Sequence, residues 1–96
     1  MTQTNKRLNV VVTGKVQGVS FRASTRQIAR QIGLSGWVRN LKTGEVELEA
    51  QGTDEQLSTL LRWLENGPEY ARVTGLNATD VPPITVASGF NILEDN

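Results

Sequence analysis

An arginine in an unusual place is the residue that points most directly to chemistry. Arg22 ends the stretch GKVQGVSFR, which leads out of a β-like segment, past two glycines, into a helix-like segment. A helix N-terminus carries partial positive charge and unpaired N–H groups, so a cation in its first turn is mildly unfavourable. An anion at the site makes the arrangement favourable, because N–H groups and guanidinium then converge on it. The sequence therefore predicts an oxyanion pocket.

The loop that precedes Arg22 indicates how such an anion is held. Gly14 and Gly18 allow tight turns that present successive N–H groups to one point. The stretch lacks the Gly-Lys-Ser/Thr ending of a Walker loop, and it is not a dinucleotide fingerprint. The glycine spacing alone fits a flexible connection about equally well. The position of Arg22 favours the anion site.

Asn40 is the second candidate for chemistry. Asparagine is depleted in strands, yet Asn40 lies within GWVRNL, two residues after Val38 on the same face. Its amide both donates and accepts hydrogen bonds, so it is able to hold and orient a water molecule. The simpler interpretation, which propensity alone favours, is that Asn40 begins a turn and bonds local backbone.

Other charged and aromatic residues are interpreted structurally. Arg26 and Arg30 form a solvated helix face, and Lys15 adds at most long-range attraction for an anion. The alternating glutamates of residues 45–49 form the wet face of a strand, and no metal site is predicted. Two large aromatic residues are assigned to packing: Trp37 and Trp63.

Composition limits the chemistry that is available. The 96 residues are enough for one domain with a modest core. Neither cysteine nor histidine occurs, which excludes disulfides, thiolate chemistry, zinc-histidine sites and Ser-His-Asp triads within this chain. The polar N-terminus and the lack of a long apolar run favour a cytoplasmic protein. Catalysis would rely on positioning and charge stabilisation, with no cofactor.

Charge is distributed unevenly along the chain although its net value is zero. Residues 1–42 carry eight basic residues and no acid, whereas residues 43–96 hold all ten acids and only two basic residues. This asymmetry indicates a basic face that receives an anion. Folding of the two signs together by interleaved elements explains it equally well.

Hydrophobic periodicity and turn residues predict the elements that position these side chains. We expect helices over Arg22–Ile32, before Gly33, and after the Thr53–Gln56 capping box, up to Gly67-Pro68. The strands are expected over 7–13, 36–41, 45–51 and 72–81, with a short one at Phe90 and Ile92. This order predicts an α+β, ferredoxin-like βαββαβ sandwich. Its antiparallel sheet carries two helices on one face and a short extra C-terminal strand.

Domain organisation follows from the same pattern. Residues 7–96 form a single domain, and residues 1–6 are expected to be a disordered or frayed N-terminus. The second helix obeys every rule for an N-terminus and the first does not, a contrast that tends to mark a functional site.

The motifs together resemble those of the acylphosphatase family. GKVQGVSFR, GWVRNLKTGEVE, WLENGPEYARV and a terminal Phe-x-Ile carry the resemblance, which extends from about Leu8 to Leu93. It implies the ferredoxin-like fold and the hydrolysis of acyl phosphates to a carboxylate and inorganic phosphate. Phosphate is then both product and competitive ligand.

The resemblance also implies roles for particular residues. Arg22 would bind the phosphoryl group, and Asn40 would orient the attacking water. The backbone amides of the loop would cradle the phosphoryl oxygens: Val16, Gln17, Gly18, Val19, Ser20 and Phe21. Ala23 departs from many relatives, in which a bulkier residue is common, and this difference bears on substrate access.

Elementary chemistry agrees with this division of roles. Phosphoryl transfer needs charge stabilisation and in-line positioning more than covalent help. The carboxylate is a good leaving group, so no strong general acid is required. Because residues 1–42 lack acids and the chain lacks histidine, we hypothesise that a phosphate oxygen of the substrate takes the proton of the water.

The alternative is a non-catalytic ferredoxin-like module that binds anions or RNA. Aromatic residues make up 5% of the chain, and the central strands carry aliphatic residues where an RNA-binding sheet carries aromatic ones. Nucleic-acid binding therefore ranks low. We expect a stand-alone protein rather than a domain of a larger maturation enzyme, because the chain ends without extra domains. We also expect a monomer, because the Glu-rich exposed face disfavours an obligate dimer.

Overall fold

The computed structural model describes residues 5–85 and 87–96, which form one sheet and two helices. In chain order the elements are β1 (Lys6–Lys15), α1 (Phe21–Ile32), β2 (Ser35–Asn40), β3 (Val46–Gly52), α2 (Asp54–Leu64), β4 (Arg72–Val81) and β5 (Phe90–Ile92). The predicted ferredoxin-like βαββαβ order with a short extra strand is confirmed. The predicted frayed segment falls largely on residues 1–4, outside the described residues, and Lys6 already belongs to β1.

The sheet has the strand order β4-β1-β3-β2-β5. Strand β1 pairs antiparallel with both β3 and β4, and β2 pairs antiparallel with β3. Strand β5 pairs parallel with β2, so the sheet is mixed rather than wholly antiparallel. The reason is topological: between Val81 and Phe90 the chain crosses from one edge of the sheet to the other.

The core lies between the helices and one face of the sheet. The alternation predicted for β3 is confirmed, because Val46, Leu48 and Ala50 are fully buried. Each helix adds a buried stripe, formed by Phe21, Thr25 and Ala29 in α1 and by Leu57, Leu60 and Leu64 in α2. Burying one large aliphatic side chain contributes about 1.5–3 kcal/mol. The core therefore fixes both helices against the strands that end at the site.

Strand β1 extends beyond its predicted end at Thr13. Gly14 and Lys15 still pair with β4, after an irregularity between Thr13 and Gly14. A Cβ on Gly14 would overlap the carbonyl oxygen of Arg72, so glycine is required there for the close approach of two strands. The prediction that Gly14 shapes the anion loop is therefore wrong, and the loop begins only at Val16.

The opposite charges of the two parts of the chain meet in the folded protein. Four ion pairs occur in the described part of the chain, and each joins a cation of residues 1–42 to an acid of residues 43–96. On the open face of the sheet, Arg7 Nε lies 2.7 Å from Glu49 Oε1. Interleaving of the elements thus brings basic residues of the first part against acids of the second, as the second of the two explanations of the charge asymmetry expected.

The glutamates of β3 are engaged by neighbouring strands. Arg39 Nη2 lies 2.7 Å from Glu47 Oε1, and Asn9 donates hydrogen bonds to both Glu47 and Glu49. Burial alone would raise the pKa of Glu47, but the hydrogen bonds from Asn9 and Arg39 and the charge of Arg39 lower that pKa overall. These acids bind side chains of the neighbouring strands β1 and β2, which agrees with their assignment to the outer face of the sheet.

Neither helix within the described residues has the length and apolar character needed to cross a membrane.

Candidate active site

The N-terminus of α1 lacks the capping that helices normally have. Ser20 occupies the N-cap position in a left-handed conformation (φ 61°, ψ 25°) and makes no side-chain cap hydrogen bond. The first turn contains no acid, and it contains Arg22. Within the described residues, the N–H groups of Gln17–Ala23 donate no backbone hydrogen bond. A run of free donors therefore leads into the helix.

The conformation of the loop explains how these donors come to be free. Gly18 (φ 74°) and Ser20 have positive φ, with Val19 between them on the negative side. Alternation of this kind curls successive N–H groups toward one side and makes a concavity that suits an anion. Val16 and Phe21 are buried at the two ends of the loop, so the core fixes where it begins and ends.

A cavity of about 210 Å³ lies at this helix N-terminus. It is lined by Val16, Gly18, Ser20, Phe21, Arg22, Ala23, Asn40 and Ile92. The two residues that sequence analysis singled out, Arg22 and Asn40, thus line one cavity although they belong to different elements. Of the six loop residues predicted to cradle an anion, Gln17 and Val19 do not line it, and Val19 packs against the core.

Asn40 is the last residue of β2 and pairs with Val46 of β3. Asn40 is 8% exposed, and its Oδ1 is buried without a hydrogen-bond partner among the described residues. The turn that follows uses backbone bonds instead, from Leu41 N to Glu45 O and from Gly44 N to Leu41 O. A buried amide oxygen without a partner is energetically unfavourable, which makes it a ready acceptor for a water in the cavity.

The guanidinium of Arg22 already binds a carboxylate. Arg22 Nη1 lies 3.0 Å from Asp95 Oδ1, in the segment after β5. The side chains are 37% and 61% exposed, and ion pairs of such exposure contribute little. The Asp95 carboxylate is therefore held weakly, and a stronger oxyanion ligand is able to displace it from Arg22.

Sequence reasoning missed two side chains near the site. Asp95 lies far from Arg22 along the chain, and no local pattern signals their contact. The side chain of Gln17 donates hydrogen bonds to the backbone of the β2–β3 turn, whereas sequence analysis considered only its backbone amide. A side-chain amide within a glycine-containing loop is a weak signal at best.

Fold and site together define an α+β sandwich protein with a candidate oxyanion site, the cavity at the uncapped N-terminus of its first helix. The sequence profile of the acylphosphatase family matches residues 8–92. A protein of Methylococcus capsulatus, named acylphosphatase, is 47% identical over 94% of this chain and 98% of its own length.

Solved structures agree with the sequence match. The structure of an acylphosphatase from Coxiella burnetii has a TM-score of 0.89 and 40% identity, covering 97% of this chain and all of that one. The acylphosphatase from Bacillus subtilis has a TM-score of 0.88 and 31% identity, covering 92% of this chain and 98% of that one. The chain belongs to the acylphosphatase family, whose members are hydrolases that act on acid anhydrides.

Proposed function

We propose that this protein hydrolyses the carboxyl-phosphate anhydride of acyl phosphates, with Arg22 holding the phosphoryl group and Asn40 orienting the water. The observation that carries the proposal is the shared cavity. Arg22, beside a loop whose backbone donors have no partner within the described residues, lines the same space as Asn40, whose buried amide oxygen likewise has none there. The first set suits an oxyanion, and the second suits a water.

Binding of the phosphoryl group is the task of the loop and of Arg22. The guanidinium exchanges the Asp95 carboxylate for phosphoryl oxygens, and the N–H groups of residues 16–21 donate to the remaining ones. Charge on these oxygens is stabilised by donors that are already oriented, so little reorganisation is needed in the transition state. This arrangement supplies the electrostatic stabilisation that phosphoryl transfer requires.

Attack by water is the task of Asn40. Its Oδ1 accepts a hydrogen bond from the water and so fixes the water oxygen relative to phosphorus. The new bond forms between that oxygen and phosphorus, and the bond from phosphorus to the acyl oxygen breaks. The electron pair of the broken bond leaves with the carboxylate. A phosphoryl oxygen takes the proton of the water, and the products are a carboxylate and inorganic phosphate.

The small side chain of Ala23 lines the cavity. Bulkier residues at this position would narrow the space beside Arg22, so Ala23 leaves room for the acyl part of the substrate.

We also propose that the protein acts as a monomer in the cytoplasm without a nucleic-acid partner. The open face of the sheet supports the absence of a nucleic-acid partner, because ion pairs involving Arg7 and Arg39 occupy it. Its aromatic residue Trp37 lies beneath the guanidinium of Arg39, 4.9 Å from the ring centroid. The ring is thereby engaged rather than presented to a base.

Turnover of acetyl phosphate, measured with increasing inorganic phosphate, tests the proposed activity. We expect metal-independent hydrolysis with competitive inhibition by phosphate. Absence of turnover together with retention of RNA would favour the binding module instead. A pH–rate profile tests the proton step, and an essential enzymic base titrating near neutrality would contradict it.

A further inference from the structure

The side chain of Gln17 connects the anion loop to a separate part of the fold. Its Nε2 donates to the carbonyl oxygen of Leu41 at 2.8 Å and to that of Glu45 at 2.9 Å. Both contacts are partly buried, and they span 24 and 28 residues of chain. One amide group thus uses both of its N–H donors on one turn.

The two acceptors close the β2–β3 turn. Leu41 N donates to Glu45 O at 2.8 Å, and Gly44 N donates to Leu41 O at 3.1 Å. Gln17 therefore bonds the same two carbonyls that hold the turn together. We call these two hydrogen bonds from Gln17 Nε2 the Gln17 tie. Because Leu41 directly follows Asn40, the tie reaches the residue next to the proposed water-orienting amide.

We infer that Gln17 is a positioning residue that fixes Asn40 relative to the anion loop, an inference that rests on the proposed function. The loop has anchors of its own, because Val16 and Phe21 are buried on either side of Gln17. The tip of the turn, residues 42–44, is exposed. Loss of the tie would therefore displace the turn and Asn40 more than the loop and its bound phosphoryl group.

The geometry requires a glutamine at this position. Glutamate would place an anion against two carbonyl oxygens, and asparagine is one methylene too short for a side chain that reaches both. Methionine preserves the length and apolar volume of the side chain while it removes both donors. Gln17→Met is therefore the sharpest substitution, and Gln27→Met at an exposed position of α1 is its matched control.

The first test separates turnover from phosphate binding. A displacement of about 1 Å is able to lower a rate roughly 100-fold, so we expect Gln17→Met to reduce kcat by about 10- to 100-fold. The inhibition constant of phosphate should change less than about 3-fold, because Arg22 and the loop stay in place. Gln27→Met should change neither quantity. Equal losses in kcat and phosphate affinity would overturn the inference, because Gln17 would then act on the loop.

The second test asks whether the effect passes through Asn40. In an Asn40→Ala background, Gln17→Met should lower the residual kcat by less than about 3-fold, since no amide remains to be positioned. A loss of folded protein would instead lower the apparent kcat by the same factor in the wild-type and Asn40→Ala backgrounds, and that result would overturn the inference.

Two further outcomes are distinguishable. Unchanged kcat in Gln17→Met with an active wild-type protein refutes the positioning role alone, whereas an inactive wild-type protein refutes the proposed function. If Gln17→Met does not fold, Gln17→Asn provides the same two measurements. Failure of both variants to fold would show that Gln17 is needed for the fold itself and would refute the positioning role.

Discussion

The two helices of this protein begin in opposite ways. At α2, Thr53 Oγ1 accepts a hydrogen bond from Gln56 N at 3.2 Å, and the Gln56 side chain accepts one from Thr53 N at 2.9 Å. Asp54 and Glu55 add negative charge to the first turn. At α1 no side chain in the described part of the chain caps the helix, and the first turn contains a cation in place of acids.

The difference separates a helix start that the chain itself caps from one at which we propose that an anion binds. The donors at α2 are satisfied by the chain itself, which stabilises the fold. Among the residues that the structure describes, the donors at α1 have no partner, and the left-handed conformation of Ser20 disfavours the uncapped helix further. Under the proposed function, an anion at the start of α1 supplies the missing hydrogen-bond acceptors and the missing negative charge.

Replacement of Arg22 should have the largest effect. We expect Arg22→Ala to lower kcat/KM by at least about 10²- to 10³-fold, as for loss of one oxyanion donor, and to abolish inhibition by phosphate. Arg22→Lys should rescue poorly, because an ammonium cannot form the bidentate contact. Arg62→Ala, at an exposed position of α2, is the control and should retain full activity. If phosphate still inhibited Arg22→Ala, Arg22 would not be the group that holds phosphate, and the proposed difference in anion binding between the two helix starts would be wrong.

Replacement of Asn40 should affect turnover alone. We expect Asn40→Ala to lower kcat by about 100-fold, because the water loses its orientation, while the inhibition constant of phosphate stays within about 3-fold. Steady-state kinetics with phosphate as inhibitor provide both values. If phosphate affinity fell as far as turnover, the assignment of separate roles to Arg22 and Asn40 would be incorrect.

Matched substitutions at the two N-caps compare the helix starts directly. Thr53→Ala removes a cap hydrogen bond and should lower the free energy of unfolding by about 1 kcal/mol, with unchanged turnover. Ser20→Ala removes no cap bond and should change that free energy by less than about 0.5 kcal/mol. Urea unfolding at constant pH measures both. A larger loss for Ser20→Ala would mean that α1 is capped after all.

The smallest effect is expected at Asp95. Its carboxylate competes with phosphate for Arg22, so Asp95→Asn should tighten phosphate binding by about 2- to 5-fold, in line with an exposed ion pair of up to about 1 kcal/mol. The difference should shrink at high ionic strength, because exposed charges are then screened. Weaker phosphate binding in this variant would show that Asp95 supports the site rather than competes for it.

Local patterns predicted most of the fold. Alternation identified β3, leucine spacing identified α2, and the Thr53–Gln56 capping box is confirmed atom by atom. Gly14 was assigned wrongly because a glycine before a loop looks the same whether it turns the chain or allows close packing. Only the carbonyl of Arg72, which approaches from β4, distinguishes the two.

The candidate site was predicted in part. The position of Arg22 at a helix start indicated an anion. Asn40 was a candidate because asparagine is unusual within a strand, and the family resemblance implied its role in orienting the water. The buried Asn40 Oδ1, the Asp95 carboxylate and the Gln17 tie could not be predicted, because each depends on neighbours from other elements.

By itself, the sequence determined the helices, the strands, the missing cap of α1 and the cation in its first turn, since these depend on residues a few positions apart. Only the tertiary structure decided that Asn40 reaches the same cavity, that Asp95 meets Arg22 across 73 residues of chain, and that Gln17 bonds the turn after β2. The physical reason is the strand order β4-β1-β3-β2-β5, which brings distant segments together to bury one core.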